Sequence, residues 1–313
     1  MNIKRKALGV GCMAAALAWA AFGTAGAISA SAATVGHLHF RDYNVPGAAA
    51  TALVGINNHG DLSGKYWDKA GNAHIFMTVG SVITTWVVPG AVGTPYISNI
   101  NNARDVVGTY NDASGVSHGY LRTPTGHFIY LNDPHQGTQP GAGIALLNVN
   151  DRNDVCGIYE DSNGVIHGFV YRDGVYTTID VPGATETDVQ VVNDAGVLGG
   201  DYIDASGVYH GFIDTHGHII VINAPRAGHA ANEGTVVDGI SKDGVVIGYV
   251  ATSSGLDVGW MLKDWNYSTL NDPKAGNGPG EGTVLNSIAE DGSAADGIYW
   301  DSAGNLHSFI LDL

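Results

Sequence analysis

Beyond its first thirty or so positions, this chain places β-branched and aromatic residues in short runs broken by Asn, Asp, Gly and Pro. No segment there sustains the 3.6-residue period of an amphipathic helix. The stretch after Tyr176 displays the pattern. Tyr176 to Val181 is one such run, stopped by Pro182, and Thr187 to Val192 is the next. The turn Asn193-Asp-Ala-Gly196 leads into Val197 to Tyr202, and Asp204-Ala-Ser-Gly207 leads into Tyr209 to Ile213. Runs of this composition and length predict strands, and Asp or Asn followed by Gly predicts tight turns between them.

The same order of elements recurs six times. Pro46, Pro89, Pro134, Pro182, Pro225 and Pro273 mark the period, which runs from 43 to 48 residues. Three of them sit in Val-Pro-Gly-Ala: Asn44 to Ala48, Val87 to Ala91 and Asp180 to Ala184. A Gly-x-Tyr marker follows each: Gly64-Lys-Tyr66, Gly108-Thr-Tyr110, Gly157-Ile-Tyr159, Gly200-Asp-Tyr202 and Gly297-Ile-Tyr299, loosened to Gly248-Tyr-Val250 in the fifth copy. A His-x-aromatic marker comes next at His74, His118, His167, His210 and His307, with Val258-Gly-Trp260 in its place in the fifth. Four short strands per period of about 45 residues predict an all-β fold, a six-bladed β-propeller. A β-solenoid, another β-repeat array or a pair of β-sandwiches are the alternatives. Tight hairpins such as Arg172-Asp-Gly174 join the last strand of one repeat to the first of the next, so blade and repeat are expected to be out of phase. The strand near Leu38 to Val45 should then pair with that near Leu306 to Leu311, closing the ring and removing two open edges.

The N-terminus sets the expected compartment. Lys4, Arg5 and Lys6 precede an Ala-rich apolar run, and small residues from Ala27 to Ala33 supply a cleavage site. Residues 1–33 read as a signal peptide and 34–313 as one domain, secreted to the exterior or the periplasm. Cys12 has Gly9 where a lipidation motif wants Leu. Loss of the leader lowers Lys plus Arg from 14 to 11 against 30 acids, a net charge of −19. That acidity opposes nucleic-acid binding, which needs clustered cations. Cys156 would remain as a single thiol, and no second stretch is long and apolar enough for a membrane span.

These units, with Gly55-Ile-Asn-Asn58 and the Asp-x-x-Gly turns, resemble the bacterial extracellular repeat proteins named for a His-Ala-Phe motif, the HAF-repeat family. The resemblance runs over roughly His37 to Leu313. The middle residue here is Gly, Ile or Ser instead of Ala, and the fifth copy lacks the His. It implies export and a repeat architecture, and brings no assigned activity with it.

Candidate chemistry is sparse. The five repeat histidines would hold a metal only if they converged on the axis; beside small residues and before a core aromatic, they read as structural hydrogen-bonding groups. Turns such as Asn111-Asp-Ala-Ser-Gly115 fall short of calcium, which takes about six to eight oxygens, because each offers one or two acids. No cofactor is expected. Loop length gives the strongest asymmetry: from the repeat Pro to the position matching Asn57 is 11 or 12 residues in copies one, two and four, and 16 in copies three, five and six. The longer loops carry His135, Arg226, His229, Glu233, Lys274 and Glu281, and are the candidate ligand-binding face. The sequence therefore reads as a monomeric, non-enzymatic binding or scaffold module for an extracellular ligand, a glycan or surface component among the options. The alternative is a propeller hydrolase or lyase with its site near the axis.

Overall fold

A computed structural model describes residues 38–313, so the leader segment 1–33 lies outside the described residues. They form 24 strands and no helix. Hydrogen bonding joins the strands into sheets of 12, 8 and 4. The two larger sheets divide into antiparallel groups of four, whose ladders join through one-residue parallel contacts at Ser117–Gly143, Tyr209–Gly234 and Asp257–Gly282. Every group repeats one plan. In the first, Ala50–Ile56 is innermost and pairs with Leu62–Trp67, which pairs with Ala73–Val79, with Val82–Thr85 outside.

The other innermost strands are Tyr96–Ile100, Gly143–Val149, Glu186–Val192, Gly234–Ile240 and Gly282–Ile288. Each packs against the next, and the sixth packs against the first. All six carry a β-bulge at one position, between Leu53 and Gly55 in the first copy. The outermost strand of the sixth group is the N-terminal strand His39–Tyr43, with Phe40 opposite Leu311 and Asp42 opposite Phe309. Phe40 meets the Phe309 ring edge-on at 5.1 Å. In the third group, the hairpin through Asp173 and Gly174, both at positive φ, joins the third strand to the outermost. Sheet and sequence repeat are accordingly out of step by one strand.

The core is divided among the gaps between consecutive groups. One apolar cluster fills each gap, such as Val54, Ile75, Ile97 and Val106 between the first and second. The gap between sixth and first holds Ala289 against Leu53, Ile56 and Phe76. Cys156 is buried with Val189 and Phe212 between the third and fourth, and burial drives its thiol pKa up, so it packs as a small apolar residue. The glycine of Gly-x-Tyr is required by this packing. At Gly64 a Cβ would collide with the Ala52 carbonyl and the Phe76 ring, and at Gly297 with Val284 and Phe309. The far end of the aromatic ring of the His-x-aromatic marker thus occupies the space beside the glycine of the neighbouring strand.

Candidate functional site

Each repeat histidine is tied to its own sheet. The turn aspartates accept backbone N–H groups two and four residues on, as Asp204 does from Ser206 (2.7 Å) and Val208 (3.0 Å). The other carboxylate oxygen meets the imidazole: Asp204–His210 3.2 Å, Asp112–His118 3.1 Å, Asp301–His307 3.0 Å, Asp68–His74 3.3 Å and, more loosely, Asp161–His167 3.8 Å. On its other nitrogen His118 reaches Asn132, His167 reaches Asp180 and His210 reaches Asn223, the residues two before the repeat prolines. Four of the five rings stack on the marker tyrosine, as His307 does on Tyr299 at 4.7 Å, and His118 lies tilted over Tyr110. The side-chain amides of Asn72 and Asn305, which donate to Asp68 and Asp301, join these bonds in holding the turn carboxylates down: Asp68 at about 2, and Asp112, Asp161, Asp204 and Asp301 below the usual range. Among the described residues no group of three or more His, Cys, Asp or Glu is arranged to hold a metal ion.

The long loops lie on the face where the innermost strands begin, and much of their chemistry turns inward. Gly143, Gly234 and Gly282 end them at φ between 113° and 132°. There they press against the backbone of Ser117, Tyr209 and Asp257, so a side chain has no room. The extra residues thus stitch one sheet to the next. Glu233 accepts the Ala230 N–H (3.0 Å) and Glu281 the Gly278 N–H (2.7 Å), each closing its own loop. Lys274 reaches Asp42 on the N-terminal strand at 2.6 Å. His135 pairs with Asp133 at 3.0 Å beside Tyr159, while Arg226 and His229 face solvent. The six residues are distributed over three separate loops, each committed mainly to its own neighbourhood.

At the other end of the innermost strands, two belts of hydrogen bonds run around the axis. Asn57 donates to the Asn101 carbonyl (3.0 Å), Asn101 to Asn150 (3.1 Å), Asn150 to Asn193 (3.0 Å) and Asn193 to Ser241 (3.1 Å). One residue further out, the Asn58 N–H donates to Asn102, Asn102 to Asp151, Asp151 to Asp194 and Asp194 to Glu290. The Asp291 N–H returns to Asn58 at 3.0 Å, and the Lys242 N–H brings in the fifth sheet through the Glu290 carbonyl. Ile56, Ile100, Val149, Val192, Ile240 and Ile288 line a cavity inside these belts, rimmed by Asp151 and Glu290. Burial, with Asp194 and Asp151 adding, pushes Glu290 up to about 7.

On the loop face the axis looks different. Leu53, Val237 and Leu285 turn into the gaps between sheets, whereas Ala52, Val236 and Val284, from three innermost strands, pack together with Tyr249 and Ile298. Half-buried Trp67, Trp300 and Leu306 cover this group. Opposite Ala52 stands Lys65, whose ammonium lies 5.3 Å from the Trp67 ring centre and 5.1 Å from that of Tyr96 on the second sheet. Register places Lys65, Thr109, Ile158, Asp201, Tyr249 and Ile298 at one equivalent position. Trp67, Asn111, Glu160, Ile203, Ala251 and Trp300 share the position two residues on. The turn Asp and Gly and the marker Gly recur through most copies; this layer carries cation, anion, hydroxyl, aromatic and aliphatic side chains. It is the candidate site. Its first ring is the middle residue of Gly-x-Tyr, which the sequence displays in every copy but which reads as filler until register is known.

No protein-family model matches the chain, and no curated protein does. Among solved structures it is similar to AofleA from Arthrobotrys oligospora, at TM-score 0.50 and 13% identity over 88% of this chain and 86% of that one. It also resembles a variant of the Aleuria aurantia lectin in complex with α-methyl-L-fucoside (TM-score 0.49, 11% identity, 86% and 93% covered). A third is the Aleuria aurantia lectin described as a six-bladed β-propeller with a novel fucose recognition mode (TM-score 0.47, 12% identity, 83% and 91% covered). At 13% identity, the first of these likenesses is one of fold.

Proposed function

We propose that this chain is an exported six-bladed β-propeller that works as a non-enzymatic carbohydrate-binding module, through the axial mouth on its loop face. The hydrogen-bond belt that returns from Asp291 to Asn58, and the pairing of the N-terminal strand with the last, support six blades closed into a ring. The leader-like N-terminus and the resemblance to HAF-repeat proteins support export. One observation carries the binding reading: half-exposed Trp67 and Tyr96 flank Lys65, and half-exposed Trp300 packs over the same apolar group as Trp67, at the axis where the six copies diverge. Aromatic faces receive the C–H face of a pyranose ring, while neighbouring polar groups such as Asn111 take hydroxyls. Convergence of a few polar groups on an apolar floor is the usual form of a small-ligand site.

A panel of immobilised glycans probed with the mature chain tests this. Retention on at least one glycan, competed by the same free sugar, is expected. A folded preparation retained by none of them contradicts the reading. A second reading, a hydrolytic site at the opposite mouth, is favoured by Glu290, a carboxyl near neutrality beside Asp194 and Asp151. The same panel separates the two, since a hydrolase would shorten the glycan that a binding module merely holds.

A further inference from the structure

Lys65 stands apart from the other cations of this acidic chain. Arg41, Arg104, Arg152, Arg172, Lys242 and Lys274 each meet a carboxylate. Arg122 lies over Trp86 and donates to the Thr123 carbonyl. Lys69, Lys263 and Arg226 stand in solvent. Lys65 is half-buried, and among the described residues it has two ring faces, Trp67 and Tyr96, and no oxygen partner. A ring face stabilises an ammonium but accepts none of its N–H bonds in full, so three donors on a partly desolvated charge are left to meet water or a ligand. Burial lowers the Lys65 pKa, the mark of a cation whose lost hydration is not fully replaced. Asp188 and Asp201, opposite one another in the fourth sheet and both buried, lie three sheets away around the ring.

Resting on the sugar-binding reading, we propose that this mouth takes an acidic sugar, a hexuronate, whose carboxylate meets Lys65 while its ring lies against Trp67. The carboxylate supplies the oxygens that the protein withholds, and a charge-assisted bond in a partly dry site is among the stronger polar contacts. The acids of the fourth sheet and the overall negative charge disfavour a second carboxylate close by. The site is therefore suited to a single uronate among neutral sugars.

Calorimetric titration with a disaccharide carrying one galacturonate, and with its methyl ester, tests the assignment on the mature chain. The acid should bind about tenfold or more tightly than the ester, with the difference shrinking as salt rises. Lys65→Met, which keeps most of the stem, should erase the difference, and Lys65→Arg should restore it. Equal affinity for acid and ester overturns the inference and leaves the sugar-binding reading standing. Binding of neither also overturns the inference, and the sugar-binding reading then stands or falls by the glycan panel. A preference that survives in K65M removes Lys65 from the role. Should K65M fail to fold, the acid-to-ester ratio of the native protein and of K65R still decides.

Discussion

Replacing Asn150 with Ala should cost about 3–5 kcal/mol of stability, read as a shift of the urea midpoint at unchanged slope. The side chain is 3% exposed and makes four hydrogen bonds. Its oxygen accepts the Arg152 (3.0 Å) and Asp154 (2.9 Å) N–H groups, closing the turn that starts the second strand. Its amide donates to Asp154 and across the gap to the Asn193 carbonyl, both at 3.0 Å. Truncation leaves buried donors and a carbonyl unpaired, at roughly 1–3 kcal/mol for each that water cannot reach. Asn150→Asp should be worse, because a carboxylate accepts the turn bonds but repels Asp154 and has nothing to donate to Asn193. Asn266→Ala, on an exposed hairpin, should stay within about 0.5 kcal/mol.

Asp296→Asn should stabilise the protein by about 2–4 kcal/mol at pH 8 and by little at pH 4. Asp296 is fully buried opposite Ser287, in the strand that flanks the last innermost one. The Ser287 hydroxyl and the Gly55 N–H favour its ionised form, but burial outweighs them and pushes the pKa up to about 7. A carboxyl whose folded pKa is raised holds its proton in the native state while the unfolded chain releases it near pH 4. Stability therefore falls as pH rises from about 4 to 7 and is level above that. Asp257 and Glu290, also at about 7, act in the same direction. The turn aspartates act oppositely: their depressed pKa values contribute stability that is present above pH 4 and lost as pH falls toward 2. Together they place the stability maximum at about pH 4–5. Thermal melts across pH 3–9 check this, and D296N should flatten the limb between 4 and 8. A native maximum at pH 8, or a D296N gain equal at both ends, would contradict the assignment.

The parts legible from sequence are those where backbone geometry dictates one residue type. Gly64, Gly108, Gly157 and Gly297 recur because a carbonyl and an aromatic ring occupy the space of a Cβ. The proline and Asp-x-x-Gly positions recur because turns demand them. From that punctuation alone the all-β class and the four-strand period follow. The site was hidden for the converse reason. Lys65, Asp201 and Tyr249 differ between copies because no shared backbone demand falls on them, and which face a strand residue takes depends on register. The bulge between Leu53 and Gly55, repeated in every innermost strand, shifts that register, and no residue type announces it. Loop length drew attention to His135, Arg226, His229, Glu233, Lys274 and Glu281, whereas the extra residues largely join neighbouring sheets.

The location of the site is the claim on which the functional account depends. Titrating one retained glycan into the native chain, into Trp67→Ala and into the double variant Arg226→Ala/Lys274→Ala tests it most directly. The account predicts that W67A weakens binding at least about tenfold, as loss of an aromatic anchor does, in protein that still melts cooperatively. The loop variant should bind within about twofold of native. Full affinity in W67A together with loss in R226A/K274A would contradict an axial site and move the ligand to the long loops.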